Sequence, residues 1–243
     1  MRKSLVKLLH LGGGGREYCA AVILAAGGSV RMGSDKILAR LGDIPVLART
    51  LRPFQNCECI DEIVVVTSAE KLQEVSELCR EYNIGKVSKV VTGGKTRAES
   101  ALTGVSEVSG KAELIAIHDG ARPLVTEKVI HDAIRKAAKF GAAAPAIPVK
   151  DTIKTVGGGV IESTPDRSKL FAVQTPQVFD VPTYRAALEK AIGSKKEITD
   201  DCSAAEDFGI NVVITEGSEE NLKVTTPTDL ILAEAILKTR KPK

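Results

Sequence analysis

Three sets of residues carry types and spacings suited to phosphate chemistry. Leu24-Ala-Ala-Gly-Gly-Ser-Val-Arg-Met-Gly33 is made of small residues, with Arg31 near its end and Lys36 shortly after it. Small residues at Ala25, Ala26, Gly27 and Gly28 let backbone N–H groups approach phosphate oxygens closely. Arg31 adds a planar five-donor fork and Lys36 a point charge. The stretch is neither a P-loop, for it lacks Gly-Lys-Ser/Thr, nor the G-x-G-x-x-G dinucleotide fingerprint. Alone, such a turn is more often only a turn. The second set is His118-Asp-Gly-Ala-Arg-Pro123. Asp119 can order Mg²⁺ through water or hold sugar hydroxyls, and Arg122 can hold a second phosphate. The same pair also fits a structural ion pair, and His118 reads as a buried strand-end residue rather than a catalyst. The third set is scattered: Lys150-Asp-Thr-Ile-Lys154, Asp166-Arg167, Gln174-Thr-Pro-Gln177 and Asn221-Leu-Lys-Val224, in which solvated surface and function are both open readings.

Composition removes several classes of protein. The 243 residues include three histidines, His10, His118 and His131, too few to assemble a histidine metal site or catalytic triad readily. Five cysteines at irregular spacing give no disulfide framework, and Cys57-x-Cys59 lacks the second pair a zinc site needs. This usage points to the cytosol. Net charge is +3, and Arg2, Lys3, Lys7 and Arg16 against Glu17 account for that excess. The body is therefore neutral, aromatics are 3% and Trp is absent, so a nucleic-acid groove is not expected. No apolar run nears the ~18 residues of a membrane span. Residues 1–17 form a basic, glycine-rich leader without a signal-peptide pattern, expected to be disordered.

The chain that must position these groups alternates short apolar runs with amphipathic segments. Cys19–Ala25, Glu62–Thr67, Val87–Val91, Glu113–Ile117 and Ala142–Val149 read as strands. Val46–Phe54, Glu70–Tyr82, Thr96–Val108 and Glu127–Phe140 read as helices. This order predicts an α/β fold: a Rossmann-like, mostly parallel twisted sheet with helices on both faces. Ligands then bind beyond the carboxyl ends of strands, where the turn after Leu24 and the Asp119 segment both fall. The pattern breaks at 150–175, where extended chain around Gly157-Gly-Gly159 predicts a protruding β-hairpin arm, either plain surface or a contact with another subunit. Helices near Pro182–Ile192 and Asp201–Phe208, a strand at Asn211–Thr215 and a last helix from Thr226-Pro227 complete one domain over 18–241.

Taken together, the segments resemble the 2-C-methyl-D-erythritol 4-phosphate cytidylyltransferase family over about residues 18–239. The resemblance rests on Ala25-Ala-Gly27 with Arg31-Met32, Gly93-Gly94 with Arg97-Ala-Glu-Ser100, and His118-Asp119 with Ala121-Arg-Pro123. It continues through Val149-Lys-Asp-Thr152, Asp166-Arg167, Gln174-Thr-Pro-Gln177, Ile198-Thr-Asp200 and Lys223-Val-Thr225. It implies that CTP and methylerythritol phosphate are joined, with Mg²⁺, to give a CDP-linked polyol and pyrophosphate in non-mevalonate isoprenoid precursor synthesis. Arg31, Lys36, Arg167 and Lys223 would be catalytic, the first two on the α-phosphate and the last two on the attacking phosphate. Ala25, Ala26, Gly27, Gly28, Gly94, Lys95 and Ser100 would bind CTP. Asp119, Arg122, Thr152 and Thr175 would line the polyol phosphate site, with Asp119 also the candidate for Mg²⁺. A homodimer would form through the arm, so that Thr152 and Arg167 act in the partner's site. One departure stands out: the family's proline before the loop lysine and its Gln-aromatic pair after it are replaced here by Ser34-Asp-Lys-Ile-Leu38 in a shorter loop.

The chemistry agrees with this residue set. A phosphate monoester with a second pKa of about 6 is largely dianionic at neutral pH and needs no general base. It needs cations over developing charge, and in-line positioning. Rival readings are a cytidylyltransferase for another polyol phosphate such as ribitol 5-phosphate, a sugar-1-phosphate nucleotidyltransferase, and a non-catalytic nucleotide-binding protein on the same fold.

Overall fold

The computed structural model describes residues 16–27, 36–194 and 198–240. Gly28, Arg31 and residues 1–15 of the expected leader lie outside the described residues. The first half runs β1 (Cys19–Leu24), β2 (Arg40–Leu41), β3 (Ile44–Pro45), α1 (Val46–Asn56), β4 (Glu62–Thr67), α2 (Leu72–Glu81), β5 (Val87–Thr92), α3 (Arg97–Glu107) and β6 (Leu114–Asp119). The second runs α4 (Glu127–Phe140), β7 (Ala142–Pro148), β8 (Thr155–Gly157), β9 (Val160–Ser163), β10 (Phe171–Val173), β11 (Gln177–Asp180), α5 (Val181–Gly193), α6 (Asp201–Asp207), β12 (Val213–Glu216) and α7 (Pro227–Thr239).

Strands β6, β1, β4 and β5 are neighbours in that order and parallel, with Leu24 of β1 in register with both Asp119 and Val66. On the other flank of β6, β11 runs antiparallel and hands over to β7. β10 continues along the same side of β7, where Gln174 N–H donates to Pro145 O at 2.7 Å. β12 lies parallel to β7 on its opposite side, where Gly217 N–H donates to Ala146 O at 3.0 Å. The expected mostly parallel sheet is present, with β10 and β11 as its reversed members.

The period-2 alternation of β1 divides the core. Ala21 and Ile23 face Leu47, Leu51 and Phe54 of α1, Val75 of α2 and Ile130 and Ala133 of α4. Ala20 and Val22 face Ala101 and Val105 of α3 and Tyr184 and Leu188 of α5. Helices therefore cover both faces, and for that reason the inner strands read as unbroken apolar runs. Helix starts follow local chemistry. Thr96 with Glu99, and Thr226 with Asp229, form reciprocal capping boxes. Asp180 and Asp200 cap α5 and α6.

Gly158 and Gly159, at φ +58° and +82°, make the hairpin turn between β8 and β9, a conformation that selects glycine. The projecting segment is shorter than the expected 150–175, because Phe171–Val173 pairs with β7 and Thr175 is buried. The ribbon of β2 and β3, and strands β10 and β11, are two to four residues long and left no periodicity to read. The last helix begins where expected but buries Ala233 alone, Leu230 and Leu237 being half-buried. No helix among the described residues is long and apolar enough to cross a membrane.

Candidate active site

The carboxyl ends of β1, β4, β5 and β6 are stitched together just past their last pairs. Ala25 N–H donates to Val66 O at 2.7 Å, Gly93 N–H to Thr67 O at 2.8 Å, and Gly120 N–H to Leu24 O at 2.8 Å. Small side chains are required at this crossing. A Cβ on Gly93 would lie 2.7 Å from Ser100 Oγ, and one on Gly120 3.1 Å from Ala25 Cβ. Above this floor lies a cleft of about 250 Å³ lined by Ala25, Ala26, Gly27, Lys36, Gly94 to Arg97, Ser100, Asp119, Ala121 and Lys223. The turn and Lys36 meet there, since a methyl on Gly27 would lie 3.7 Å from Lys36 Nζ. A larger, more open groove of about 620 Å³ beside β5, lined by Arg80, Asn83 and Lys89 among others, holds none of the expected site residues. Converging charge, rather than size, marks the smaller cleft as the candidate site.

Asp119 sits at its centre. Its Oδ2 lies 3.1 Å from Lys223 Nζ and 3.3 Å from Arg122 Nε, and its Oδ1 lies 3.7 Å from Arg97 Nη2. Burial pushes the carboxyl up, but Lys223, then Arg97 and Arg122, outweigh it and hold Asp119 well below the usual carboxylate range. Lys223 arrives on a loop fixed by Val224 N–H to Ala121 O at 2.8 Å and by Arg122 Nη1 to Asn221 O at 2.7 Å. Asn221 in turn donates to Thr175 O at 3.0 Å and to Gln174 Oε1 at 3.3 Å. Two of the Arg122 donors are thus committed to protein, and its guanidinium backs the cleft.

The other expected residues divide into three groups. Ala25, Ala26, Gly27, Lys36, Gly94, Lys95, Ser100, Asp119 and Lys223 line one cleft. Thr175 stands beneath it, 3% exposed, with its hydroxyl engaged by His118 Nδ1 and the Asp119 N–H. Thr152 and Arg167 do not line it: both are exposed at the base of the arm, and Arg167 Nη1 donates to Lys150 O at 2.7 Å. Ser100 Oγ donates to Thr96 O at 2.9 Å, which shapes the turn between β5 and α3.

Arg97 received no role from the sequence, yet it forms a wall of this cleft. It is the first residue of α3, and its Nη2 pairs at 2.6 Å with Oδ2 of Asp201, a fully buried carboxylate. Burial works against the charged guanidinium, but Asp201 outweighs it and raises the Arg97 pKa. Its position inside the Gly93–Ser100 motif was the one available signal; the distant partner Asp201 was not legible.

As to metal, among the described residues no group of three or more His, Cys, Asp and Glu side chains is placed to hold an ion. The donor set is one carboxylate ringed by cations. That fits a dication brought in by a triphosphate and touched by Asp119 through water.

A small-residue turn after the first strand and a cation-ringed carboxylate at the end of a parallel neighbour define a nucleotidyltransferase of the Rossmann-like class. The family model described as 2-C-methyl-D-erythritol 4-phosphate cytidylyltransferase matches residues 19–239. A relative of that name from Halalkalibacterium halodurans is 45% identical over 223 residues, covering 91% of this chain and 97% of its own. One from Clostridium botulinum is 44% identical over 221 residues, covering 90% and 96%. Among solved structures, 4-diphosphocytidyl-2C-methyl-D-erythritol synthase of Anaerococcus prevotii superimposes with a TM-score of 0.82 at 30% identity, covering 91% of this chain and 96% of that one. The chain belongs to the 2-C-methyl-D-erythritol 4-phosphate cytidylyltransferase family. It is a CTP-dependent nucleotidyltransferase that joins CTP and 2-C-methyl-D-erythritol 4-phosphate into CDP-methylerythritol and pyrophosphate, a step of isoprenoid precursor synthesis.

Proposed function

We propose that the reaction runs in the cleft between β1, β5 and β6, with the following division of labour. Backbone N–H groups of Ala25–Gly27 cradle the CTP phosphates, Gly28 sharing that role as the resemblance implies, and Gly94, Lys95 and Ser100 border its nucleoside. Lys36, together with Arg31 as the family resemblance implies, stabilises the α-phosphate. Lys223, fixed by Asp119 and the Arg122-held loop, draws in the polyol phosphate, and Asp119 takes polyol hydroxyls. An oxygen of that phosphate attacks the α-phosphorus, the bond to the β-phosphate oxygen breaks, and pyrophosphate departs with the electron pair. The dianionic nucleophile needs no base, which suits a cleft whose charged wall residues are cations and one carboxylate. Mg²⁺ brought in with the triphosphate would neutralise charge building on the leaving group, and Asp119 would hold it through water.

The observation that carries this reading is the meeting of Lys36, Lys223, Arg97 and Asp119 in one cleft above the small-residue turn. The remaining cation, Arg167, comes with Thr152 from a second copy of the chain. Val156, Val160 and Ile161 of the arm are 58%, 68% and 62% exposed, an apolar surface that a homodimer would cover. The enzyme works in the cytosol on small molecules, apart from nucleic acid and membrane.

Pyrophosphate release tests this reading. CTP with methylerythritol phosphate should be turned over, while ATP, GTP or UTP, or omission of the polyol, should give background. Faster turnover of ribitol 5-phosphate or of a sugar 1-phosphate would overturn the substrate assignment.

A further inference from the structure

Asp119 presents two different oxygens to the cleft. Its Oδ2 is occupied by Lys223 and Arg122, at 3.1 and 3.3 Å. Its Oδ1 faces Arg97 at 3.7 Å, beyond hydrogen-bonding distance, and no hydrogen bond to Oδ1 forms among the described residues. A guanidinium and a carboxylate so close would ordinarily shorten to a direct charge-assisted bond of about 2.8 Å. Arg97 does not, because Asp201 holds it from the other side at 2.6 Å.

Asp201 is itself fixed. The Tyr184 hydroxyl donates to its Oδ1 at 2.5 Å, and the Tyr184 ring stacks on Phe179 at 4.4 Å between centroids. The start of α6, where Asp201 sits, is tied to β11: Gln177 Nε2 donates to Asp200 Oδ2 and Cys202 N–H to Gln177 Oε1, each at 2.8 Å. Neither Tyr184 nor Asp201 lines the cleft.

We infer that Asp201, oriented by Tyr184, is a positioning residue for the polyol end of the site: it retains the Arg97 guanidinium and so leaves Asp119 Oδ1 open to a substrate hydroxyl. This rests on the assignment of Asp119 to the polyol phosphate. Without the Asp201 charge, Arg97 closes on Asp119, the other carboxylate within its reach, and takes the oxygen that the substrate uses.

Steady-state kinetics test it. Asp201→Asn should raise KM for methylerythritol phosphate roughly tenfold, the scale of one charged hydrogen bond, and leave KM for CTP within about twofold. Tyr184→Phe, which deletes a single hydroxyl, should shift the same constant in the same direction by less, and it serves if Asp201→Asn does not fold. Adding Arg97→Gln to Asp201→Asn removes the side chain that would swing, so the double variant should match Arg97→Gln alone instead of summing two losses. Equal shifts in both KM values, additive losses, or lowered Tm with unchanged KM would overturn the inference. Asp119→Asn in the same assay separates the two levels. If it leaves the polyol KM unchanged, the assignment of Asp119 fails and takes the inference with it; if it raises that KM while Tyr184→Phe and Asp201→Asn do not, only the inference fails.

Discussion

Thr175 Oγ1 lies 2.8 Å from His118 Nδ1 and accepts the Asp119 N–H at 3.2 Å, joining β6 to the segment leading into β11 directly beneath the candidate cleft. The His118 ring is wholly buried, 4.8 Å from Phe54 between centroids, and burial pushes its pKa down to about 3 even with Asp119 adjacent. The imidazole should therefore stay neutral from pH 8 to about 4, measurable from its ring nitrogen shifts by NMR. The unfolded chain takes up that proton below about pH 6.5, whereas the folded one waits until near 3. Stability should thus fall as pH drops from about 6.5 toward 3, and His118→Gln should show a flatter Tm–pH slope there than wild type. Parallel slopes would refute the assignment of a buried neutral histidine.

Lys36 and Lys223 reach the cleft from opposite ends of the sequence. If they stabilise charge at the reacting phosphorus and the attacking phosphate, each alanine variant should lose about 10²-fold or more in kcat, the scale of a lost transition-state donor. Single-turnover measurement with saturating CTP is the check. A change confined to KM would reduce them to binding residues.

A site shared between subunits has a signature in mixtures. Arg167→Ala and Lys36→Ala proteins should each be nearly inactive. Co-refolded in equal amounts, they should regain about a quarter of wild-type activity, because half the dimers are hybrids with one intact site. No recovery would show that Arg167 serves its own chain or none. Val160→Asp with Ile161→Asp should give monomers by light scattering.

Gly104 packs α3 tightly against β1 and β4 of the sheet. A Cβ there would lie 2.4 Å from Val22 Cγ1 and 2.9 Å from Val66 Cγ2. Gly104→Ala should cost about 1–3 kcal/mol through overpacking, although alanine favours helices. Val22→Ala in that background should restore part of the loss of stability in urea.

Long periodic elements were legible because burial on both faces writes itself into consecutive residues. The expected helix over 127–140 coincides with α4, and the run Glu62–Thr67 with β4. Thr226-Pro227 marked the start of the last helix, and the triple glycine the hairpin tip, for equally local reasons. The short strands β10 and β11 escaped, since three or four residues with an intervening Thr-Pro carry too little pattern, and partners far along the chain decide whether they pair.

The sequence by itself determined the longer elements, the position of the small-residue turn, and the ordered motifs that name the family, all of which depend on neighbours within a few residues. The site's electrostatics belong to the tertiary structure alone. Asp119, Arg97, Asp201 and Lys223 are spread over 126 positions of the chain, from 97 to 223, and charge interaction depends on distance through space and on burial rather than on chain order. Only the folded sheet, bringing the ends of β1, β5 and β6 to one edge, turned Arg97 from a motif residue without a role into a wall of the cleft, and turned the Thr175 hydroxyl inward to His118.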